Sequence, residues 1–226
     1  MMKTLRGLMD FALTDELISA DPTVGVKLVR VKDTGGFVTW PVELIERYRR
    51  QHKLGTRPRL ALELLYGTMA ARADVVRLGA QHVKNGFVKF RRQKIKVEVE
   101  IPVLPELREA LDVMPPADHL TYLVTERGAP FTAAGFGNWF REQCNDAGIS
   151  LSAHGLRKSG ATRLAEHGCF DHEIMAWGGW TSIKEVQRYT AAANRKRLAL
   201  QAAKKLKAGT KVANLSSGLA NRSKRP

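Results

Sequence analysis

Residues Ser152–Leu164 read SAHGLRKSGATRL, and a second stretch, GGWTSIKEVQRYT, follows at Gly178–Thr190. The first has helical character, and His154 and Arg157 stand three residues apart in it, so their side chains project from one helix face. A guanidinium is a planar fork that matches two phosphate oxygens. An imidazole beside it can donate to the same anion or move a proton. The second stretch ends on Tyr189 in another helix-forming context. Taken singly, each residue has a plainer reading. The His–Arg pair can be a solvated helix face, Tyr189 and Trp180 can be packing residues, and Lys94 can be a solvated lysine. The joint spacing is what raises the possibility of one anion-handling site: Trp180 comes 23 residues after Arg157, and Tyr189 nine after Trp180.

The rest of the chain favours an anionic partner. Among 226 residues, 37 are Lys or Arg and 22 are Asp or Glu, a formal net charge of +15, and the isoelectric point is about 10.2. Such an imbalance points first to nucleic acid, although a ribosomal or membrane-surface protein can share it. An apolar content of 44% marks a globular chain rather than a disordered one. The two cysteines, Cys144 and Cys169, make no disulfide framework and fit a reducing compartment. Acidic residues interrupt the apolar N-terminal stretch, which excludes a signal peptide, and no apolar run of about 18 residues exists to span a membrane. A cytoplasmic location is expected.

Three segments are expected. Residues 1–34 carry a first amphipathic helix, with Leu5, Leu8, Met9, Ala12 and Leu13 on one face, stopping before Pro22 and followed by a basic linker that closes on Gly35–Gly36. Residues 35–207 form the main domain, its compact part beginning at Phe37. Its helices include PVELIERYRRQH, with Pro41 at the start, and the long apolar stretch PRLALELLYGTMAARADVVRL, which has a weak point at Gly67–Thr68. GFVKFRRQKIKVEVEIPV alternates as a two-stranded hairpin with one wet face and a polar turn over residues 93–96. The remainder is helical, so the fold class is mainly α with a small antiparallel β-sheet. Residues 208–226 are small, polar and basic and read as a flexible tail. His167, Cys169 and His172 lie close together, but no fourth ligand has a suitable spacing, so no metal is expected. The glycines of GAPFTAAGFG lack the Gly-Lys-Ser/Thr of a phosphate loop.

Two longer stretches, FGNWFREQCNDAGISLSAHGLRKSGATRLAEHG and IMAWGGWTSIKEVQRYT, resemble in order and register the catalytic domain of the tyrosine recombinase (phage integrase) family. The resemblance extends through the hairpin and LALELLYGTMAARADVVRLG, covering about residues 37–207. The leading helix resembles the end of that family's N-terminal core-binding domain, the rest of which lies outside this sequence. The resemblance implies DNA strand cleavage and rejoining with no metal or cofactor. Tyr189 would be the nucleophile that becomes joined to a 3′ phosphate, and Arg157 the second clamp arginine. His154 would contact the phosphate and assist proton transfer. Trp180 would donate its ring N–H to a phosphate oxygen, and Lys94, on the hairpin, would protonate the 5′ hydroxyl leaving group. Lys89, Arg91, Arg92 and Lys158 are expected on the face that holds double-stranded DNA. The helix after Tyr189 would either pack on a neighbouring protomer, giving a homo-oligomer such as a tetramer on DNA, or fold back.

One position departs from the pattern. The family's first clamp arginine stands in a segment Arg-x-x-Glu/Asp-Leu/Val-x-x-Leu. Asp74, Val75 and Leu78 fit its end, but its first position is Ala71. Arg72 is adjacent, yet one helical residue turns a side chain by about 100°, so Arg72 is not expected to replace it. Losing one preorganised donor typically costs about 10²–10³ in rate. The chain then reads either as an attenuated recombinase or as an inactive DNA-binding remnant that occupies recombination sites.

Overall fold

The computed structural model describes residues 2–27, 36–115 and 119–220, the side chains of residues 3 and 208–220 excepted. It divides into two units, one ending at Gly36 and one beginning at Phe37.

In the first unit, α1 spans Met2–Thr14. The sequence placed its end nearer Pro22. The helix stops earlier because Glu16 takes a left-handed backbone conformation (φ 56°), which a continuing right-handed helix does not admit. Leu8 and Phe11 are exposed. Most of the basic linker, residues 28–35, lies outside the described residues.

The second unit is built around α3 (Arg57–Thr68). Residues 60–66 of this helix are all buried, on every side of it, because other elements cover it completely. α2 (Val42–Gln51) carries Glu43 in its first turn and Arg49 and Arg50 in its last, matching the helix dipole. It is tied to α3 by Arg49, ion-paired at 2.7 Å to the buried Glu63, which also pairs at 2.7 Å with Arg59 of its own helix. The apolar stretch that looked continuous breaks where its weak point was read. Met69 adopts a left-handed conformation (φ 50°) after Thr68, and the short α4 (Arg72–Val75) starts afresh with Ala71 as its N-cap.

The sheet is antiparallel with three strands rather than two: β1 (Val83–Lys84), β2 (Phe87–Arg91) and β3 (Glu98–Pro102), in that spatial order. Val88 faces Ile101 and Phe90 faces Val99 across the ladder, and these four side chains are buried. Lys89, Arg91, Glu98 and Glu100 fill the wet face. α5 (Pro105–Asp112), α6 (Ala133–Asp146), α7 (Ala153–Glu166), α8 (Asp171–Gly178) and α9 (Ile183–Ala220) complete the unit. α9 continues past residue 207, the start of the tail read from composition, and residues 221–226 lie outside the described ones.

A large apolar core surrounds α3, and a second, smaller one lies under α7, α8 and α9. Met69, Ala161, Ile174, Trp180 and Val186 form the smaller core, with Tyr189 packed at its edge. Among the described residues no helix is long and apolar enough to cross a membrane.

Candidate active site

α7 places His154 and Arg157 on one face, as their spacing requires. Arg157 is then held from two directions. One guanidinium nitrogen donates to the Met69 carbonyl in the α3–α4 turn, and the other donates to Gly178 O at 2.9 Å, at the end of α8. The guanidinium lies over the Trp180 ring, 4.1 Å from its centre. Burial lowers its pKa, and the nearby Asp74 carboxylate opposes that shift.

Trp180 is only 7% exposed and is positioned by two glycines. A methyl group on Gly178 would stand 1.9 Å from a carbon of the Trp180 ring, so only glycine lets the indole fold back over the end of α8. Gly179 supplies the left-handed turn (φ 65°) that ends α8. The Tyr189 ring follows, its centre 5.9 Å from that of Trp180. The Lys158 ammonium lies 5.2 Å from the centre of the Tyr189 ring. Thr162 on α7 donates to Tyr189 O at 3.2 Å, which pins α9 to α7 at the level of the tyrosine. Arg157, Lys158, Trp180 and Tyr189 thus form one contact chain.

His154 packs its ring against Phe37, with centres 4.5 Å apart. Its pKa is lowered, first by burial and then by the charges of Arg157, Lys158, Arg72 and Lys94. Lys94 is exposed in the hairpin turn, close enough to act on His154 by charge, and makes no hydrogen bond or ion pair with another described residue. Of the five residues read from the sequence, Arg157, Trp180 and Tyr189 are joined by direct ring and cation contacts, while the charges of Arg157 and Lys94 act on His154.

Arg72 packs against α6, where a methyl on Gly137 would stand 2.2 Å from a guanidinium nitrogen of Arg72. There it lines a cavity of about 450 Å³ with Phe37, Arg141, Asn145 and His154.

Arg92 requires a correction. It was read as a surface contact for DNA but is 2% exposed. Its guanidinium donates to Met69 O (3.0 Å), Thr68 O (3.1 Å) and Trp177 O (3.3 Å) and lies 3.5 Å from Asp74 Oδ2. Strand parity accounts for this, since residue 92 continues the dry series of Val88 and Phe90. Lys89 is exposed but pairs with Glu98 (2.8 Å) and Glu100 (3.8 Å) across the wet face. Arg91 donates to Lys96 O at 2.8 Å and closes the hairpin. Of the four residues expected to meet DNA, Lys158 is the one in the contact chain.

Asp74, which the sequence reading used only to align the segment, is a hub of this region. It accepts from Ala71 N at 3.3 Å and from Gln93 N at 2.8 Å, joining α4 to the hairpin. Among the described residues no group of three His, Cys, Asp or Glu side chains could hold a metal ion.

The family model described as the phage integrase family matches residues 42–196. The chain belongs to the phage integrase family. Its second unit is a tyrosine recombinase catalytic domain, mostly helical with a small three-stranded antiparallel sheet. Two similar curated proteins are the tyrosine recombinases XerD of Chlorobaculum tepidum, 27% identical over 84% of this chain, and of Halalkalibacterium halodurans, 26% identical over 82%. The chain spans 68% and 67% of their lengths. Among solved structures, XerA recombinase matches with a TM-score of 0.63 at 20% identity over 73% of this chain and 65% of its own. A lambda integrase dimer bound to a COC' core site matches with a TM-score of 0.69 at 20% identity over 83% of this chain and 57% of its own. At that identity the structures speak for the fold.

Proposed function

We propose that this recombinase domain cleaves and rejoins DNA strands in integration or site-specific recombination, through a 3′-phosphotyrosyl intermediate on Tyr189. The observation that carries this reading is the contact chain from Arg157 through Trp180 to Tyr189, with His154 and Lys94 beside it. The Tyr189 oxygen attacks the phosphorus, the bond to the 5′ oxygen breaks, and the departing oxygen takes a proton from Lys94. Arg157 neutralises charge that gathers on the non-bridging oxygens, by the logic of an oxyanion hole. The Trp180 indole N–H donates to one of those oxygens. His154 contacts the phosphate and, held neutral by its surroundings, accepts the phenol proton. The phosphodiester energy stays in the tyrosyl ester, so religation needs no nucleotide triphosphate. Double-stranded DNA is the partner, bound mostly through phosphates, which suits the +15 charge. A homo-oligomer on DNA, assembled through α9, fits with matched integrase structures whose descriptions name a dimer and a tetramer on DNA.

Ala71 favours a second reading, an inactive module that binds recombination sites without cutting them. Duplexes nicked near a randomised junction, which trap covalent protein–DNA adducts, separate the two. An adduct with the wild-type chain that vanishes in Tyr189→Phe supports the strand transferase. Retained DNA binding with no adduct in the wild type or in Ala71→Arg supports the binding module.

A further inference from the structure

We infer that Arg92 supplies the positive charge that this chain lacks at residue 71, making it a positioning residue of the phosphate site. This rests on the recombinase reading above and deepens it.

Two guanidinia share one carbonyl. Met69 O accepts from Arg157 and also from Arg92, so two guanidinia from different elements, α7 and the end of β2, converge on a single acceptor. Asp74 fixes the place relative to residue 71: its Oδ2 accepts the Ala71 backbone N–H and is the same oxygen that faces Arg92. The guanidinium of residue 92 therefore stands beside the backbone from which a side chain at 71 would project. Alanine puts no charge there, and the Arg72 guanidinium lies against Gly137.

The charge balance gives the pair its meaning. Two guanidinia, Arg92 buried and Arg157 half-buried, with the one carboxylate of Asp74 near them leave a net positive site, and such a site favours an incoming anion. The strain of the arrangement is visible. Burial and the charge of Arg157 together pull the pKa of Arg92 down to about 10, so it remains a cation at neutral pH. Its Nε has no hydrogen-bond partner among the described residues and lies near Gly179, where an added methyl would stand 3.1 Å away. A buried charge without full compensation is costly, and a phosphate bound on Arg157 would relieve that cost. Arg92 itself, at 2% exposure, does not reach the phosphate. It acts through the carbonyls of Met69 and Trp177, which frame Arg157 and the Gly178–Trp180 turn, and through its charge.

The test titrates inorganic phosphate into the full chain at constant ionic strength, following the midpoint of thermal unfolding. It uses wild type, Arg92→Lys, Arg92→Met, Ala71→Arg and the double variant Ala71→Arg/Arg92→Met. Arg92→Met is expected to weaken phosphate binding by about tenfold or more, Arg92→Lys to retain most of it, and the double variant to recover it. Rescue from residue 71 is a result that a mere packing role for Arg92 would not give. Ala71→Arg alone is expected to change phosphate affinity by no more than about twofold, because the place is already filled. This arm needs no substitution at residue 92 and decides the matter if Arg92→Met does not fold. The inference is overturned if folded Arg92→Met binds phosphate as the wild type does, if the double variant fails to recover binding, or if Ala71→Arg alone gains the about 10²-fold expected of a donor placed in an empty slot. If phosphate binding follows the expected pattern and no variant forms a DNA adduct, the strand-transfer reading fails while the assignment of Arg92 stands.

Discussion

The two halves of the site are built in opposite ways. On α7, α8 and α9, His154, Arg157, Trp180 and Tyr189 come from one continuous stretch of 36 residues, and local spacing does most of the placing. On the other side, the α3–α4 turn and the hairpin meet through Asp74, and the cation comes from residue 92 rather than from 71. The first half is a motif and the second is an arrangement. A motif fails visibly in the sequence when one letter changes, whereas an arrangement can take the same charge from an element about 20 residues further along, where only the folded chain brings it near.

The contrast can be broken most sharply at the hairpin. Lys94 is exposed and unpaired among the described residues, so Lys94→Gln is expected to leave the unfolding midpoint nearly unchanged and to slow adduct formation by about 10²–10⁴, the range of a lost general acid. A substrate whose 5′ oxygen is replaced by a better leaving group should remove most of that loss. In the motif half, Arg157→Gln is expected to cost about 10²–10³ in the rate of adduct formation. Adduct assays on both variants would show whether the two halves serve one reaction.

Smaller effects sharpen the comparison. Gly178→Ala forces a methyl into the Trp180 ring, which must move. A stability loss of about 1–3 kcal/mol is expected from such crowding, read in denaturant melts, together with loss of the indole's native fluorescence environment. The smallest effect is a pH dependence at His154. Its pKa lies below the ordinary 6.5 because of burial and four neighbouring cations. The unfolded chain therefore binds a proton there before the folded one does. The stability tied to this group is fully present above pH 6.5 and declines as the pH falls through that value toward the lowered pKa. His154→Gln is expected to flatten that part of the profile, and phosphate is expected to raise the His154 pKa in an NMR titration.

Much of the fold was readable from periodicity. The α7–α9 stretch, the hairpin and the break after Thr68 are all local patterns. What escaped were consequences of distance. β1 adds a third strand because only the folded chain brings residues 83–84 alongside residues 87–88. Glu16 ends α1 early through a backbone angle that its side chain does not announce. Arg92 was read as a surface residue because arginine is rarely buried, although its strand parity with Val88 and Phe90 already placed it on the dry face. Lys89 looked available for DNA because its two glutamate partners sit on another strand. The lodging of Arg72 on Gly137 of α6 could not be read from neighbours in sequence.

The most direct measurement is the chemical identity of the trapped adduct. Wild-type protein caught on nicked duplexes, digested with nuclease and trypsin, is examined for a nucleotide phosphate on the Tyr189–Arg195 peptide. The phosphate is expected on Tyr189, and the adduct is expected to vanish in Tyr189→Phe. An adduct on any other side chain, or one that survives that substitution, would contradict the site described above.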